Sequence, residues 1–128
     1  MNKYVEWVTI DDLKVLYIDF SKGLSEIEYM KALDEAIDLV RGKTNVNVII
    51  DMTDTHTTLR VVNYAAFEGK QVARCFKNIV AINPSTRQHI FLQLYEHMTG
   101  KNIHIVTSKE EAIERIRNKP AIQVVVSL

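Results

Sequence analysis

The order of strand-like and helix-like segments limits the folds open to this chain more than any other feature of its sequence. Residues 4–10 and 13–20 are rich in β-branched and aromatic side chains and are separated by two aspartates, so they predict an antiparallel hairpin. Helix-like and strand-like segments then alternate along the rest of the chain. Strands that alternate with helices are joined by right-handed crossovers, which produce a largely parallel sheet.

Capping residues and glycines set the boundaries of the later segments. Ser25 and Glu28 have the spacing of a capping box, and Gly42 ends the helix that they begin. The second helix is predicted to begin at Thr57 or Thr58. The predicted helices cover about residues 26–41, 58–76, 86–99 and 109–118, and the predicted strands 45–51, 79–82 and 103–107. The tail, residues 121–128, has strong β propensity and is a candidate sixth strand, in this sheet or in that of another chain.

Apolar residues at helical spacing predict the buried side of the longer helices. The second helix has small residues, Ala66, Gly69 and Ala73, within its apolar stripe. We expect these to pack closely on the sheet, and a small apolar pocket lined by this stripe is the alternative. The third helix is expected to bury Ile90, Phe91, Leu94 and Met98.

The two faces of the predicted sheet differ in polarity. Asn45 and Asn47 alternate with apolar residues in the third strand, and His104 lies opposite Ile103 and Ile105 in the fifth. Strands covered on both faces are usually continuously apolar, so one face here is covered incompletely or by another chain. The sequence therefore predicts one α/β domain over residues 1–128. Its sheet is mixed and largely parallel, with five or six strands, an N-terminal antiparallel hairpin and four helices mainly on one face.

Composition argues against several classes of protein. Sixteen basic residues balance sixteen acidic ones, whereas a nucleic-acid-binding protein needs a cationic excess. No apolar run is long enough to insert into a membrane. The one cysteine, Cys75, cannot form an internal disulfide, so a cytoplasmic location is expected. Zero net charge and the β-prone tail favour self-association, for example as a homodimer.

The turn after the third strand is the densest cluster of short polar side chains in the chain. Strand ends and helix starts meet at such turns, and ligands bind there in many α/β proteins. Asp51 and Asp54 would repel a bound anion, and a purely structural role is the alternative, with Thr57 as the helix N-cap. The candidate residues for a protein partner, a small anion or a phosphorylation switch are Asp51, Thr53, Asp54, Thr55, Thr57 and Thr58.

Metal binding and catalysis find little support in the sequence. Asp51, Asp54 and His56 offer ligand atoms, but no second cluster completes a coordination shell. The sequence has no nucleophile elbow, phosphate loop, dinucleotide fingerprint or Cys-x-x-Cys pair. We therefore predict a protein without a metal, without a cofactor and without catalytic activity.

A basic stripe is predicted on the second helix. Lys70, Arg74 and Lys77 fall at i, i+4 and i+7, which places them on one face of a helix that continues to residue 76 or beyond. A solvated surface is the usual meaning of such a stripe. The alternative is a docking face for an acidic partner or for anionic lipid heads.

The element order and three short motifs resemble the STAS fold, the sulfate-transporter and anti-sigma-factor-antagonist domain. The likeness extends from Val15 to about Lys119 and is greatest to small stand-alone relatives of unknown function. It implies a regulatory or binding domain without catalysis of its own. The motifs are Tyr17-Ile-Asp-Phe-Ser21, Val48-Ile-Ile-Asp-Met-Thr53 and Thr107-Ser-Lys-Glu-Glu-Ala112.

The resemblance is incomplete at the regulatory turn. Anti-sigma-factor antagonists carry Asp-Ser-Ser/Thr-Gly there, and the first serine is the phosphorylated switch. This chain has Asp54-Thr-His-Thr-Thr58, without serine or glycine, and Thr57 or Thr58 is nearest to the switch position. A phosphoswitch of that kind is therefore not expected.

Two functional hypotheses follow. The first is a STAS-like regulatory module that recognises a protein partner or a small anion at the turn after the third strand. The second is a carrier of a small hydrophobic ligand between the helices and the sheet. Similar domains share a topology with CRAL-TRIO lipid-transfer proteins, whose sheet forms one wall of an apolar pocket.

Overall fold

A mixed five-stranded sheet forms the centre of the computed structural model, which describes residues 4–117. The strands lie in sequence order, and β1 is antiparallel to β2, whereas β2 to β5 are parallel. This arrangement confirms the predicted mixed, largely parallel sheet. The candidate sixth strand at 121–128 lies outside the described residues. The strands are β1 (Val5–Ile10), β2 (Leu13–Asp19), β3 (Val46–Asp51), β4 (Phe76–Ile82) and β5 (Ile103–Val106).

The turn of the hairpin consists of two residues in the left-handed conformation. Asp11 has φ 48° and Asp12 has φ 70°, as a two-residue type I′ turn requires at both central positions. Such a turn matches the twist of the flanking strands and fixes their register, so that Ile10 pairs with Leu13.

Four α-helices follow the hairpin within the described residues. Ser25 begins the first with the predicted capping box, in which Glu28 N donates to Ser25 Oγ over 3.2 Å. Ser85 begins the third helix, with Gln88 completing the box. The helices are α1 (Glu26–Val40), α2 (Leu59–Gln71), α3 (Thr86–Thr99) and α4 (Lys109–Arg117).

Three helices cover one face of the sheet, and α4 covers the other. The first face contains the larger apolar core, where residues such as Leu16 and Val48 pack against α1. On the second face Ala112 and Ile116 of α4 pack against Ile49 and neighbouring strand residues. The helices therefore lie mainly on one face, as the sequence predicts.

Two asparagines of the second face are paired with each other. Asn47 is buried, and its side-chain oxygen accepts a hydrogen bond from Asn78 Nδ2 at 2.8 Å. The bond joins neighbouring strands β3 and β4, in which the two asparagines are register partners. An amide pair of this kind satisfies polar groups that burial would otherwise leave without partners.

The predicted end of the second helix is wrong. The helix ends at Gln71, a short 3-10 turn covers Ala73–Cys75, and β4 begins at Phe76 rather than at Ile79. Phe76 pairs with Val46 at the start of β3. Strand pairing therefore overrides the local helical pattern at residues 73–76, as tertiary contacts often do.

The predicted buried face of the third helix is also largely wrong. Ile90, Leu94 and Met98 are 64%, 52% and 40% exposed, and the buried residues are Gln88, Leu92 and Tyr95. The inward polar side chains have partners inside the protein. Gln88 Nε2 donates to Thr55 O, and Tyr95 Oη donates to Gly69 O. A polar group that has a hydrogen-bond partner can be buried at little cost in free energy. The apolar residues of a helix therefore do not by themselves identify its inner face.

Candidate functional site

An apolar cavity of about 130 Å³ lies between the first face of the sheet and the three helices that cover it. Strands β2, β3 and β4 form its floor, α1 and α3 form its walls, and α2 lies above it. The strand residues that line it include Leu16, Ile18, Val48, Ile50 and Ile79, and the helical ones include Ile37, Val61, Val62, Ala65, Phe91 and Leu92.

Helix α2 stands off the sheet and leaves this space open. It packs mainly against α1 and α3 rather than against any strand. Among its own residues, all of which the structure describes, only Val61 is buried. The small residues Ala65 and Gly69 face the cavity, where larger side chains would fill it. Of the three small residues predicted in the apolar stripe, Gly69 lines the cavity and Ala66 does not. Ala73 is buried and packs against Ile79 of the sheet, as expected. The alternative of a pocket is therefore met at Gly69 only.

Polar contacts with the neighbouring helices hold α2 in place. On the α1 side, Thr58 Oγ1 donates to Glu26 Oε2 at 2.6 Å, and Tyr64 Oη donates to Asp34 Oδ1. At the other end, Tyr95 Oη donates to Gly69 O at 2.9 Å. The two contacts to α1 are exposed to solvent, where such bonds contribute little to stability. Helix α2 is therefore attached largely at its ends and edges.

The cavity has one polar end, at the carboxyl edge of the sheet. Thr57 lines it, and Thr57 Oγ1 is buried without a hydrogen-bond partner among residues 4–117. Gln88 lines the same end and is fully buried, with its amide oxygen accepting from Ser85 N at 2.7 Å. Among the described lining residues, Glu68 is the only charged one.

The six candidate residues of the turn after β3 are brought together, but most of their polar atoms have structural partners. Asp51 Oδ1 accepts from Thr53 N at 3.0 Å. Thr55 is buried, and its hydroxyl donates to Phe20 O at 2.8 Å. Asp54 is exposed, with a left-handed φ of 53°.

Thr58 is the N-cap of α2. Its hydroxyl accepts from Val61 N at 3.2 Å and donates to Glu26, so a phosphoryl group on Thr58 would lie against a carboxylate. Thr57, the capping residue of the structural alternative, instead faces the cavity. Recognition of a partner or an anion at this turn stays a prediction.

Two solved structures are similar to this fold. One is an uncharacterized protein of the DUF3478 family with a SpoIIAA-like fold from Shewanella loihica PV-4, with TM-score 0.69, 15% identity, and coverage of 86% of this chain and 90% of that one. The other is an anti-sigma-factor antagonist (STAS) domain protein from Planctomyces limnophilus, with TM-score 0.52, 13% identity, and coverage of 89% and 98%. The chain has a STAS-like fold. No protein-family model matches the sequence, and no curated protein matches it significantly.

The predicted basic stripe of this STAS-like domain does not follow one helix face. Lys70 lies on α2, Arg74 lies in the 3-10 turn, and Lys77 lies on β4. The helical spacing assumed for them fails because α2 ends at Gln71. All three side chains are exposed, and their role as a docking face stays a prediction.

A second hollow, of about 510 Å³, lies on the α4 face of the STAS-like domain. Its lining mixes apolar residues with Glu6, Asp19, Lys22 and Lys109. Burial, followed by the nearby carboxylates of Asp51 and Asp19, raises the pKa of Tyr17 to about 12. The described lining of this hollow carries both acidic and basic side chains, so it does not favour one class of ligand.

Metal binding and membrane insertion find no support in the described part of the domain. Residues 4–117 contain no group of three or more His, Cys, Asp or Glu side chains that could hold a metal ion. None of the helices in this range is both long and apolar enough to cross a bilayer.

Sequence reasoning missed several residues of the cavity, among them the polar residues Gln88 and Glu68. Gln88 was hidden by its polarity, although its position three residues after the N-cap Ser85 is a signal for a glutamine held by a capping box. Glu68 carries no sequence signal, because its place at the cavity depends on how α2 is rotated.

Proposed function

We propose that this STAS-like domain is a non-enzymatic binding module that holds a small apolar ligand in the cavity beneath α2. The observation that carries the proposal is the cavity itself, lined by apolar side chains from the sheet and three helices. Ligand sites in proteins are commonly concave and mostly apolar, with few polar groups.

The size of the cavity supports a ligand rather than a packing defect. An engineered cavity of about 150 Å³ lined by apolar residues is large enough to bind benzene. The cavity here has a volume of about 130 Å³. The apolar side chains that line the cavity lack packing partners on that side in the unliganded protein, and a bound apolar molecule would supply them.

The attachment of α2 supports a route for entry. The helix buries little apolar surface of its own and is joined to α1 by exposed hydrogen bonds. Elements with few buried apolar contacts open at low free energy. A small displacement of α2 would give a ligand access without disturbing the sheet.

A cavity-filling substitution tests this proposal. Ala65 lines the cavity, whereas its neighbour Ala66 does not, so Ala65→Leu and Ala66→Leu form a matched pair. We expect Ala65→Leu to abolish binding of toluene, measured by ligand-observed NMR, and to stabilise the unliganded protein by about 1 kcal/mol through added burial. Ala66→Leu should retain toluene binding. Equal binding of toluene by both variants would contradict the proposal.

Native mass spectrometry of freshly purified protein is a complementary measurement. We expect a bound small molecule that dissociates at higher collision energy and is missing from Ala65→Leu. A chain without added mass, together with no binding of toluene, would argue against a carrier.

A second candidate function is protein recognition, favoured by an exposed apolar stripe on α3. Ile90, Leu94 and Met98 are spaced four residues apart and are all exposed. Exposed apolar patches often mark interaction sites, including those of homodimers. Ile90→Lys together with Leu94→Lys should then reduce self-association in sedimentation velocity. An unchanged sedimentation coefficient across protein concentrations, with and without the substitutions, would remove this support.

A further inference from the structure

The most informative atom of the cavity is the Thr57 hydroxyl oxygen. Thr57 Oγ1 is buried and has no hydrogen-bond partner in the described part of the chain, and Thr57 lines the cavity. A buried polar group without a partner destabilises a protein by about 1–3 kcal/mol. Native proteins contain few such groups, and each points to a strain, a missing water or a ligand.

The other polar side chains at this end of the cavity, Gln88, Thr55 and Tyr29, already interact with protein groups, and Tyr29 is a hydrogen-bond partner of Thr55. Gln88 Oε1 accepts from Ser85 N, and Gln88 Nε2 donates to Thr55 O at 3.3 Å. The Thr55 hydroxyl donates to Phe20 O. Thr57 is therefore the side chain at this end whose hydroxyl has no partner among residues 4–117. A threonine hydroxyl both donates and accepts, so it suits an alcohol or a carbonyl group.

The charge of the lining selects against anions. Among the lining residues that the structure describes there is no Lys, Arg or His, and Glu68 is negative. A carboxylate or phosphate moved into apolar surroundings without a cationic partner loses far more solvation than one hydroxyl restores. A neutral ligand avoids this loss.

We propose that the ligand is a small neutral molecule with one oxygen function, hydroxyl or carbonyl, that hydrogen-bonds to Thr57 Oγ1. Its apolar body has about the size of one aromatic ring, in keeping with the molecules that cavities of about 150 Å³ accept. This inference rests on the proposed function, because it names the class of ligand for the same cavity.

Three ring compounds and three proteins test the proposal. Toluene, benzyl alcohol and benzoate share a ring and differ in the polar end, and binding is measured by titration calorimetry at pH 7.5. Thr57→Val removes the hydroxyl and keeps the shape, and Thr57→Ser keeps the hydroxyl. We expect Thr57→Val to weaken the binding of benzyl alcohol by about 3- to 10-fold, as the loss of one net hydrogen bond predicts. The affinity for toluene should change by less than about 2-fold. Thr57→Ser should retain the preference, and benzoate should bind the wild type at least about 10-fold more weakly than benzyl alcohol.

The outcomes separate this inference from the proposed function. If neither toluene nor benzyl alcohol binds the wild type, the cavity is not a ligand site and both proposals fail. If toluene binds the wild type but Thr57→Val changes the affinities for benzyl alcohol and toluene by the same factor, only the proposed role of Thr57 fails. Tighter binding of benzoate than of benzyl alcohol would overturn the neutral class. Amide NMR spectra of each variant establish that it is folded before titration.

Discussion

Replacing Thr57 with valine should make the unliganded protein more stable. The threonine hydroxyl is buried without a partner among residues 4–117, whereas a valine methyl in the same place needs none. Removing an unsatisfied buried hydroxyl recovers a penalty of about 1–3 kcal/mol, and we expect a gain near the lower end, about 1 kcal/mol. A substitution that stabilises the empty protein while weakening an oxygen-bearing ligand would mark a residue kept for binding.

Thr55→Val is the matched control, two residues earlier in the same turn. The Thr55 hydroxyl is also buried, but it donates to Phe20 O over 2.8 Å. Its removal deprives a buried carbonyl of a donor, which destabilises by about 1–3 kcal/mol. The two substitutions are chemically identical, so their different signs would report hydrogen bonding alone.

Urea denaturation followed by circular dichroism measures both effects. With a slope of about 1–3 kcal/mol per molar urea, a difference of about 2 kcal/mol separates the two midpoints by about 1 M. The Thr57→Val midpoint should lie above the wild type and the Thr55→Val midpoint below it. The reasoning is refuted if Thr57→Val lowers the midpoint as much as Thr55→Val does, because the hydroxyl would then have a partner inside the protein.

Two further predictions concern Gly69, which lines the cavity, and Tyr17, which lies on the opposite face of the sheet. Gly69→Ala would place Cβ only 3.1 Å from Tyr95 Cε1. Tyr95 would have to shift by a few tenths of an ångström, which would stretch its bond to Gly69 O. We therefore expect a loss of about 1 kcal/mol in urea unfolding instead of the usual gain of about 0.5–1 kcal/mol for alanine in a helix. A gain would show that Tyr95 makes room without cost. The Tyr17 pKa is raised to about 12, above its ordinary value of 10.0, so the stability that Tyr17 contributes is present below pH 10 and lost as pH rises through 12. Tyr17→Phe should remove that part of the alkaline decline in the free energy of unfolding, and an unchanged decline would assign it to other groups.

Local sequence signals were sufficient for the topology. The two aspartates of the hairpin turn, the capping box at Ser25 and the alternation of strands and helices each fix a short-range feature. Right-handed crossovers then leave few ways to connect those features, which is why the predicted sheet and helix placement are confirmed. The resemblance to the STAS fold pointed to the same architecture.

Features that depend on partners distant in sequence were not predictable in the same way. Gln88 and Tyr95 face inward because Thr55 O and Gly69 O accept their hydrogen bonds. The inner face of α3 therefore includes side chains that end in polar groups. Phe76 leaves the helix because Val46 is available for pairing. The cavity itself arises from the distance between α2 and the sheet, which periodicity does not encode. Of the small residues that the sequence analysis named, only Gly69 lines it.

The sequential strand order also determines when each face of the sheet is closed. Because β2 to β5 follow one another across the sheet, the three crossover helices between them step in one direction and lie on one face. That face, with its cavity, can assemble as soon as β5 has left the ribosome. The second face waits for α4, which is synthesised after the five strands of residues 4–117. During synthesis Ile49 and the residues packed with it therefore remain open the longest, and this face is where a nascent chain of this fold would first meet a chaperone.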